Sequence, residues 1–541
     1  MMTKAVKVAL ALGAAMSWAA AGEARKTPSI WVQCDGYPKP EPDAAKMVRS
    51  LAALSTLGLF GVPEGYKAAG RADGAAGVAA CRAALADPAA AAAPPLRRVL
   101  LNKALAIHQL EAKNPAGALA ALDAAAAEVG GFATNPYFAR STGVSLDLVR
   151  AVAQLRLGQI DQAMASAARA AAARPFSARV QKLAIGIMGL DAEVQPEEQA
   201  LAERLVKLDP SSADALASLH LRAGRHAEAW ALLKRQNDLR KPVPSALAAF
   251  ASRDAGVGRA LVAAFAAARA GDTASAGKIL DDQVALAGRA AAELGKMKLK
   301  ISGAAANQPL GQALARPIED WRSVVEAAGL MASGDAAAAQ AKLNAAKVSS
   351  ANPLVELLAA DIRAKLPPEA RLGIVAAQAA DPAKKAAERL ARIEELAGPE
   401  LFALLPEPED ASRLNSYSKQ IGFFKGTGFK HKQVEGGLTR IEFVGSSSSL
   451  LAVEEMALLR AADLARQGGY KTFTIERRSE YARWMQQTMR GVPIGKKTLV
   501  GFMTEMDVRY HDDPAVPMAH DAAAVAAALA PIYVRTKSAA R

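Results

Sequence analysis

The sequence predicts a mainly α-helical protein: a solenoid of helical hairpins followed by a small α+β domain. Three observations carry that prediction. Helix-period apolar patterns recur through the middle of the chain, punctuated by glycine-containing turns with alanine at matching offsets on either side. Alanine is abundant and aromatic residues make up only 5% of the 541 positions, so the interior is expected to consist of helices packed closely through small side chains. Beyond Pro406 alanine thins, Phe, Tyr, Thr and Lys rise, and the pattern turns to strands.

Composition limits the function classes. A chain that is 51% hydrophobic by residue has material for more than one core. The formal charge is +14, which is compatible with nucleic acid, an anionic membrane surface or an acidic polymer. The Lys and Arg are scattered among Asp and Glu, and no aromatic-interleaved basic stripe stands out, so the charge reads as that of a solvated surface.

The N-terminus, residues 1–24, reads as a secretory signal. Lys4 and Lys7 form a positive start, Val8 to Ala20 is apolar or small, and Ala19-Ala20-Ala21 offers a cleavage site near Ala21. No later run is expected to span a bilayer. The expected location is periplasmic or secreted. The two cysteines, Cys34 and Cys81, lie in an N-terminal helical segment over 25–98. In an oxidising compartment the simplest reading is one disulfide; the alternative is two buried thiols. The apolar stretch within Met47 to Gly70 reads as a buried helix and turn.

Residues 99–405 form the predicted array. Its inter-helix turns fall at Lys113-Asn114-Pro115, Gly158, Gly224, Gly271 and Gly334. Seven residues before each turn stand Ala106, Ala151, Ala217, Ala264 and Ala327; five residues after it stand Ala118, Ala163, Ala229, Ala276 and Ala339. Where two helices of a hairpin cross closely, only a small side chain fits on each, and a turn glycine takes the left-handed conformation that ends the first helix. Leucines such as Leu122, Leu232, Leu280 and Leu343 are expected at the wider positions.

This arrangement resembles the tetratricopeptide repeat (TPR). That family carries a small residue in its first helix, Gly or Asn in the turn, Ala twice in its second helix and Pro near the end. Here Ala151, Gly158, Ala163, Ala170 and Pro175 match best, and a further copy is expected with Gly186 at the small position and Pro210 as terminator. The resemblance implies a concave face that binds protein or peptide partners. Arg150, Gln154, His220 and Arg269 are the candidates on that face. The Lys296–Ile301 run alternates Lys with apolar residues, and strand, helix and irregular crossover all remain open for it.

Residues 406–413 read as a linker and 414–541 as the α+β domain. Strands are expected over Phe429–Gln433 and Leu438–Val444, joined at Gly436-Gly437, then over Tyr470–Ile475 and Lys497–Tyr510. A helix is expected over Leu450–Gln467, with Ser446 to Ser449 at its start as cap, or as a phosphate nest. Glu454 and Glu455 would complement its dipole. A last helix should start near Asp521 and stop at Pro531. The run Phe443-Val444-Gly445, a serine-rich turn, Leu459-Arg460-Ala461-Ala462 with Leu464, and Gly469-Tyr470 with Phe473 and Ile475 is similar to an uncharacterised family of small bacterial envelope lipoproteins. The lipid-bearing Cys of that family is absent here. The resemblance implies an envelope location and no activity.

Catalytic patterns are not found. The six His are spread out, and His511-Asp512-Asp513 in a turn is the nearest approach to a metal cluster. Glu454-Glu455 and Glu394-Glu395 are adjacent on helices and point about 100° apart, unlike a glycosidase pair. No cofactor and no nucleic acid are expected. Two other readings stand beside the scaffold. In one, the C-terminal domain binds a small molecule or acidic envelope polymer in a pocket at Gly445, Ser446 and Tyr470, with the array as spacer. The other is a hydrolase with an unrecognised site.

Overall fold

The computed structural model describes residues 28–39, 70–188, 196–238, 245–251, 257–296, 310–350, 352–376, 401–402, 405–410, 414–420, 426–489 and 492–534. The expected signal (1–24), most of the apolar stretch from Met47, all but the first residue of the Lys296–Ile301 run, and Glu394-Glu395 lie outside them. The described chain is mainly helical, with a small antiparallel sheet near its C-terminus.

Two compact units divide the chain, and the division departs from the expected boundaries. The first holds residues up to Thr134 together with Val152–Gly158 and Leu396–Ala403; the second holds Asn135–Ala151, Gln159–Glu395 and Leu404–Arg541. In the first unit, α1 (Ile30–Asp35) and α2 (Gly74–Ala86) are joined by the Cys34–Cys81 disulfide, and both cysteines are fully buried. Closing a loop with sequence separation 47 contributes on the order of 4 kcal/mol. The hairpin α3 (Pro95–Glu111) and α4 (Pro115–Val129) packs with them rather than opening a separate array. His108 on α3 ties the disulfide segment down: Nε2 lies 2.7 Å from the Cys34 carbonyl and Nδ1 2.7 Å from Glu111. Glu111 in turn accepts the Gly74 N–H at 2.8 Å. Among the described residues one helical stretch, Pro115–Thr134, is long and apolar enough by length and composition to cross a membrane. It includes Asp123 and Glu128, and Glu128 pairs with Arg98.

Helical hairpins continue with α5 (Val144–Arg156), α6 (Ile160–Ala173), α7 (Ala178–Met188), α8 (Pro196–Leu208), α9 (Ala213–Arg222), α10 (His226–Asp238), α11 (Val257–Arg269), α12 (Thr273–Lys296), α13 (Leu310–Ala332), α14 (Ala336–Ala345) and α15 (Pro353–Lys365). From α6 to α9, and again from α11 to α15, each helix packs on the next in sequence. Every alanine placed at a close crossing is buried: Ala106, Ala118, Ala151, Ala163, Ala170, Ala217, Ala229, Ala264, Ala276, Ala327 and Ala339. The turn glycines Gly158, Gly224, Gly271 and Gly334 have φ between 71° and 89°, and Lys113 occupies the same left-handed region at 58°. Gly186 does not act as a packing position: it faces solvent, whereas Ala178 and Ala184 of α7 are buried. Pro210 follows the end of α8 at Leu208 and opens a short 3-10 turn.

The C-terminal region contributes β1 (Gly428–Val434), β2 (Leu438–Gly445), α16 (Leu450–Gln467), β3 (Thr472–Met489), β4 (Val492–His511), β5 (His520–Asp521) and α17 (Ala522–Tyr533). The sheet order is β1-β2-β4-β3-β5. Gly436 and Gly437, at φ 76° and 71°, close the first hairpin as expected. α16 covers one face of the sheet, and Ser449 caps it by accepting the Ala452 N–H at 3.2 Å. Two expectations need correction. β3 and β4 are far longer than the strands read from Tyr470–Ile475 and Lys497–Tyr510, because each is the other's partner from Thr472↔His511 to Met489↔Val492. Pro531 lies inside α17, which runs on to Tyr533 because that side chain is buried and hydrogen-bonded to Glu455.

Residues 406–410 of the segment read as a linker are held in place. Leu405 and Pro406 are buried, the Pro406 carbonyl accepts from Ser145 at 2.9 Å, and the Glu409 N–H donates to Ser141 at 3.1 Å. Ala178, Leu205 and Leu208 of the helical region share one core with Phe443, Met456, Phe473 and Val508.

Candidate functional site

α16 organises the most unusual chemistry in the molecule. Its sequence from Leu450 to Leu459 is apolar except for Glu454 and Glu455, and both carboxylates are buried. They do not serve the helix dipole as expected; each is neutralised by arginine. Glu455 accepts from Arg140 at 2.6 Å and from the fully buried Arg174 at 2.9 Å, and the Tyr533 hydroxyl completes its shell. Arg174 also donates to Glu409 at 2.9 Å and to the Arg140 carbonyl at 3.0 Å. Burial pushes the Glu455 carboxyl up, but the two guanidiniums and the tyrosine hydroxyl outweigh it and hold the group below the ordinary value. Glu454 faces Arg478 of β3, which it shares with Glu480. There burial wins and the carboxyl is pushed up to about 7. His520 is buried as well, bonded to the Lys207 carbonyl at 2.9 Å, and burial lowers it to about 4. This charged set is buried, and its members pair with one another. It clamps the helical region to the sheet.

The expected pocket at Gly445, Ser446 and Tyr470 is not formed. Those residues flank opposite ends of α16, about 27 Å apart at 1.5 Å per residue. The phosphate-nest option is filled from within: Asn415 Oδ1 accepts the backbone N–H groups of Ser446, Ser447 and Ser448 at 2.9, 3.1 and 3.1 Å. Tyr470 instead stacks on Tyr510 with ring centroids 5.5 Å apart. A cavity between Val206, Leu232, Gln236, Ile475 and Met518 measures about 30 Å³, room for a water or two and no organic ligand. A hollow of about 460 Å³ along α17 is lined by Ala523, Ala526, Ala527, Ala530, Pro531 and Val534, with Arg466 alone to orient a ligand.

The concave-face candidates are mostly enclosed. Gln154 and His220 are buried, and Arg150 is half-buried. Arg269 is held by Asp361 and lies 2.7 Å from His226. His511 ends β4, and in the turn that follows Asp513 accepts the Ala515 N–H at 2.8 Å. Among the described residues no three His, Cys, Asp or Glu are grouped to hold a metal ion.

Another surface was missed in the sequence. β2 leaves β4 at Gly445↔Phe502, and β5 pairs with β3 only at Thr472 and Phe473. Beyond Gly501, β3 and β4 continue as a two-stranded ribbon. Gly501, at φ 136°, marks the departure: a Cβ there would sit 2.0 Å from the Gly445 carbonyl oxygen. The ribbon exposes Tyr481, Trp484, Met485 and Leu499.

Comparison with known proteins finds no matching family model, no matching curated protein and no matching solved structure.

Proposed function

We propose that this chain is an exported scaffold whose stacked, TPR-like helical hairpins bind protein or peptide partners in the cell envelope, without catalysing a reaction. One observation carries the reading: the same pair of buried alanines flanks left-handed turns at Lys113, Gly158, Gly224, Gly271 and Gly334. Recurrence of one hairpin contact is the mark of a stacked-repeat binding module. The Cys34–Cys81 disulfide supports an extracytoplasmic location. The reading in which the array merely spaces a C-terminal binding domain has less support, since the ionic clamp and shared core join the two regions.

Photo-crosslinking in the intact envelope tests this proposal. A reactive residue replaces exposed Ser218 on α9 or Glu326 on α13, both first helices of hairpins, or Lys278 on α12, a second helix. A discrete adduct from Ser218 or Glu326 and none from Lys278 is expected. Adduct patterns identical at all three sites, or no adduct at any, would count against the scaffold.

A further inference from the structure

The edge strand β1 gathers positive side chains around a single ring, that of Phe429. Lys419 is bridged to Phe429 in the parallel sense, with the Gln420 N–H donating to the Phe429 carbonyl at 2.9 Å. His431 follows two positions along β1 and so shares the Phe429 face. From α16, Arg460 lays its guanidinium over the Phe429 ring, 4.3 Å from the centroid. Among the described residues none of these three side chains forms an ion pair. Asp463, one turn past Arg460 on α16, accepts the Tyr417 hydroxyl at 2.6 Å. The crowding leaves a mark on His431: burial disfavours its charged form, and the nearby charges of Arg460 and Lys419 lower its proton affinity further. The buried Arg460 Nε has no hydrogen-bond partner. A guanidinium stacked on a ring gives its face to the ring and keeps its in-plane edge for an acceptor.

We propose that Arg460, His431 and Lys419 form a binding site for a phosphate group, free or carried on a small ester. Charge selects the ligand class. A phosphate monoester carries about −1.5 to −2 charges at neutral pH, and so answers several cations where a carboxylate answers one. The Arg460 edge can donate to two of its oxygens, while the lysine and the imidazolium supply further single donors. Lys419 and His431 are exposed, so the ligand reaches them from solvent. The site lies on the C-terminal sheet and is independent of what the helical hairpins bind.

NMR of isotope-labelled histidine in the full chain tests it, with His431→Gln assigning the signal. An anion that binds better to the protonated ring must, by linkage, make that ring take up its proton at higher pH. Sodium phosphate should move the His431 titration to higher pH and saturate. Sodium chloride at equal ionic strength should move it far less. Arg460→Gln should weaken phosphate binding about tenfold or more, the loss of a charge-assisted hydrogen bond. Lys419→Gln should weaken it about threefold; because Lys419 is exposed, its variant is expected to keep the parent's melting temperature even if loss of the Arg460 stack lowers it. Glycerol phosphate bound more tightly than inorganic phosphate would assign an ester, and the reverse order the free ion; both sustain the site. Equal shifts with phosphate and chloride, a shift that never saturates, or Arg460→Gln and Lys419→Gln variants that bind phosphate like the parent would each overturn it.

Discussion

The helical hairpins and the surroundings of α16 are built on opposite principles. Around the hairpin turns the interior is rich in buried alanine, with leucines such as Leu280 and Leu343 in the same core. Around α16 the interior holds Arg140, Arg174, Glu454, Glu455 and Arg478, all nearly excluded from water. The first kind of interior tolerates removal of little, because little is there, and fails on enlargement. The second tolerates enlargement no better, and fails worst on removal of one partner, because the charge left behind has no water to turn to. The contrast separates two jobs: small residues bring backbones close, whereas buried charges fix which helix meets which sheet.

The largest effect should come from breaking the clamp. Glu455→Ala strands two arginines, and a loss of about 3–5 kcal/mol in denaturant unfolding of the full chain is expected. Replacing Arg174 with Leu should cost a similar amount; a change under about 1 kcal/mol for either would remove the contrast. Next, Ala264→Leu or Ala217→Leu should cost about 1–3 kcal/mol through overpacking, although each adds apolar surface. If either variant proved stabilising, the close-crossing account of the hairpins would be lost.

The clamp should also carry a pH signature. Glu454 is raised from 4.5 to about 7 in the folded chain, so its contribution is fully present below 4.5 and lost as pH rises through 7. His520 is lowered from 6.5 to about 4, so its contribution is present above 6.5 and lost as pH falls towards 4. The two oppose each other between 4.5 and 6.5. Glu454→Gln removes one side, so its stability should fall more steeply than the parent's from pH 7 to 4.5, by on the order of 2 kcal/mol. Parallel melting-temperature curves for parent and variant would contradict this assignment.

The smallest effect belongs to the hairpin turns. Gly224→Ala, at φ 71° with open space around it, should cost about 1 kcal/mol from backbone strain alone. Lys113→Gly, at φ 58°, should be neutral or stabilising by a few tenths of a kcal/mol. Equal and opposite results would mean that contacts, and not backbone conformation, set these turns.

Where chemistry is local, the amino-acid order sufficed. Alternation and a glycine pair marked β1 and β2; a serine before an apolar run marked the start of α16; alanine seven before and five after a turn marked buried positions. A turn, a cap and a helical face depend on residues a few positions apart, so their energetics are written within a short window. Tertiary structure alone decided what joins distant segments. It set Arg140 and Arg174 against Glu455, more than 280 positions away, and made a clamp of two acids that locally look like dipole companions. It carried α17 through Pro531 to bury Tyr533, and it let β3 and β4 extend each other through a stretch with no strand pattern. A buried charge has to find its counter-charge wherever in the chain it lies, and a strand can borrow its order from its partner, so neither is visible until the chain is folded.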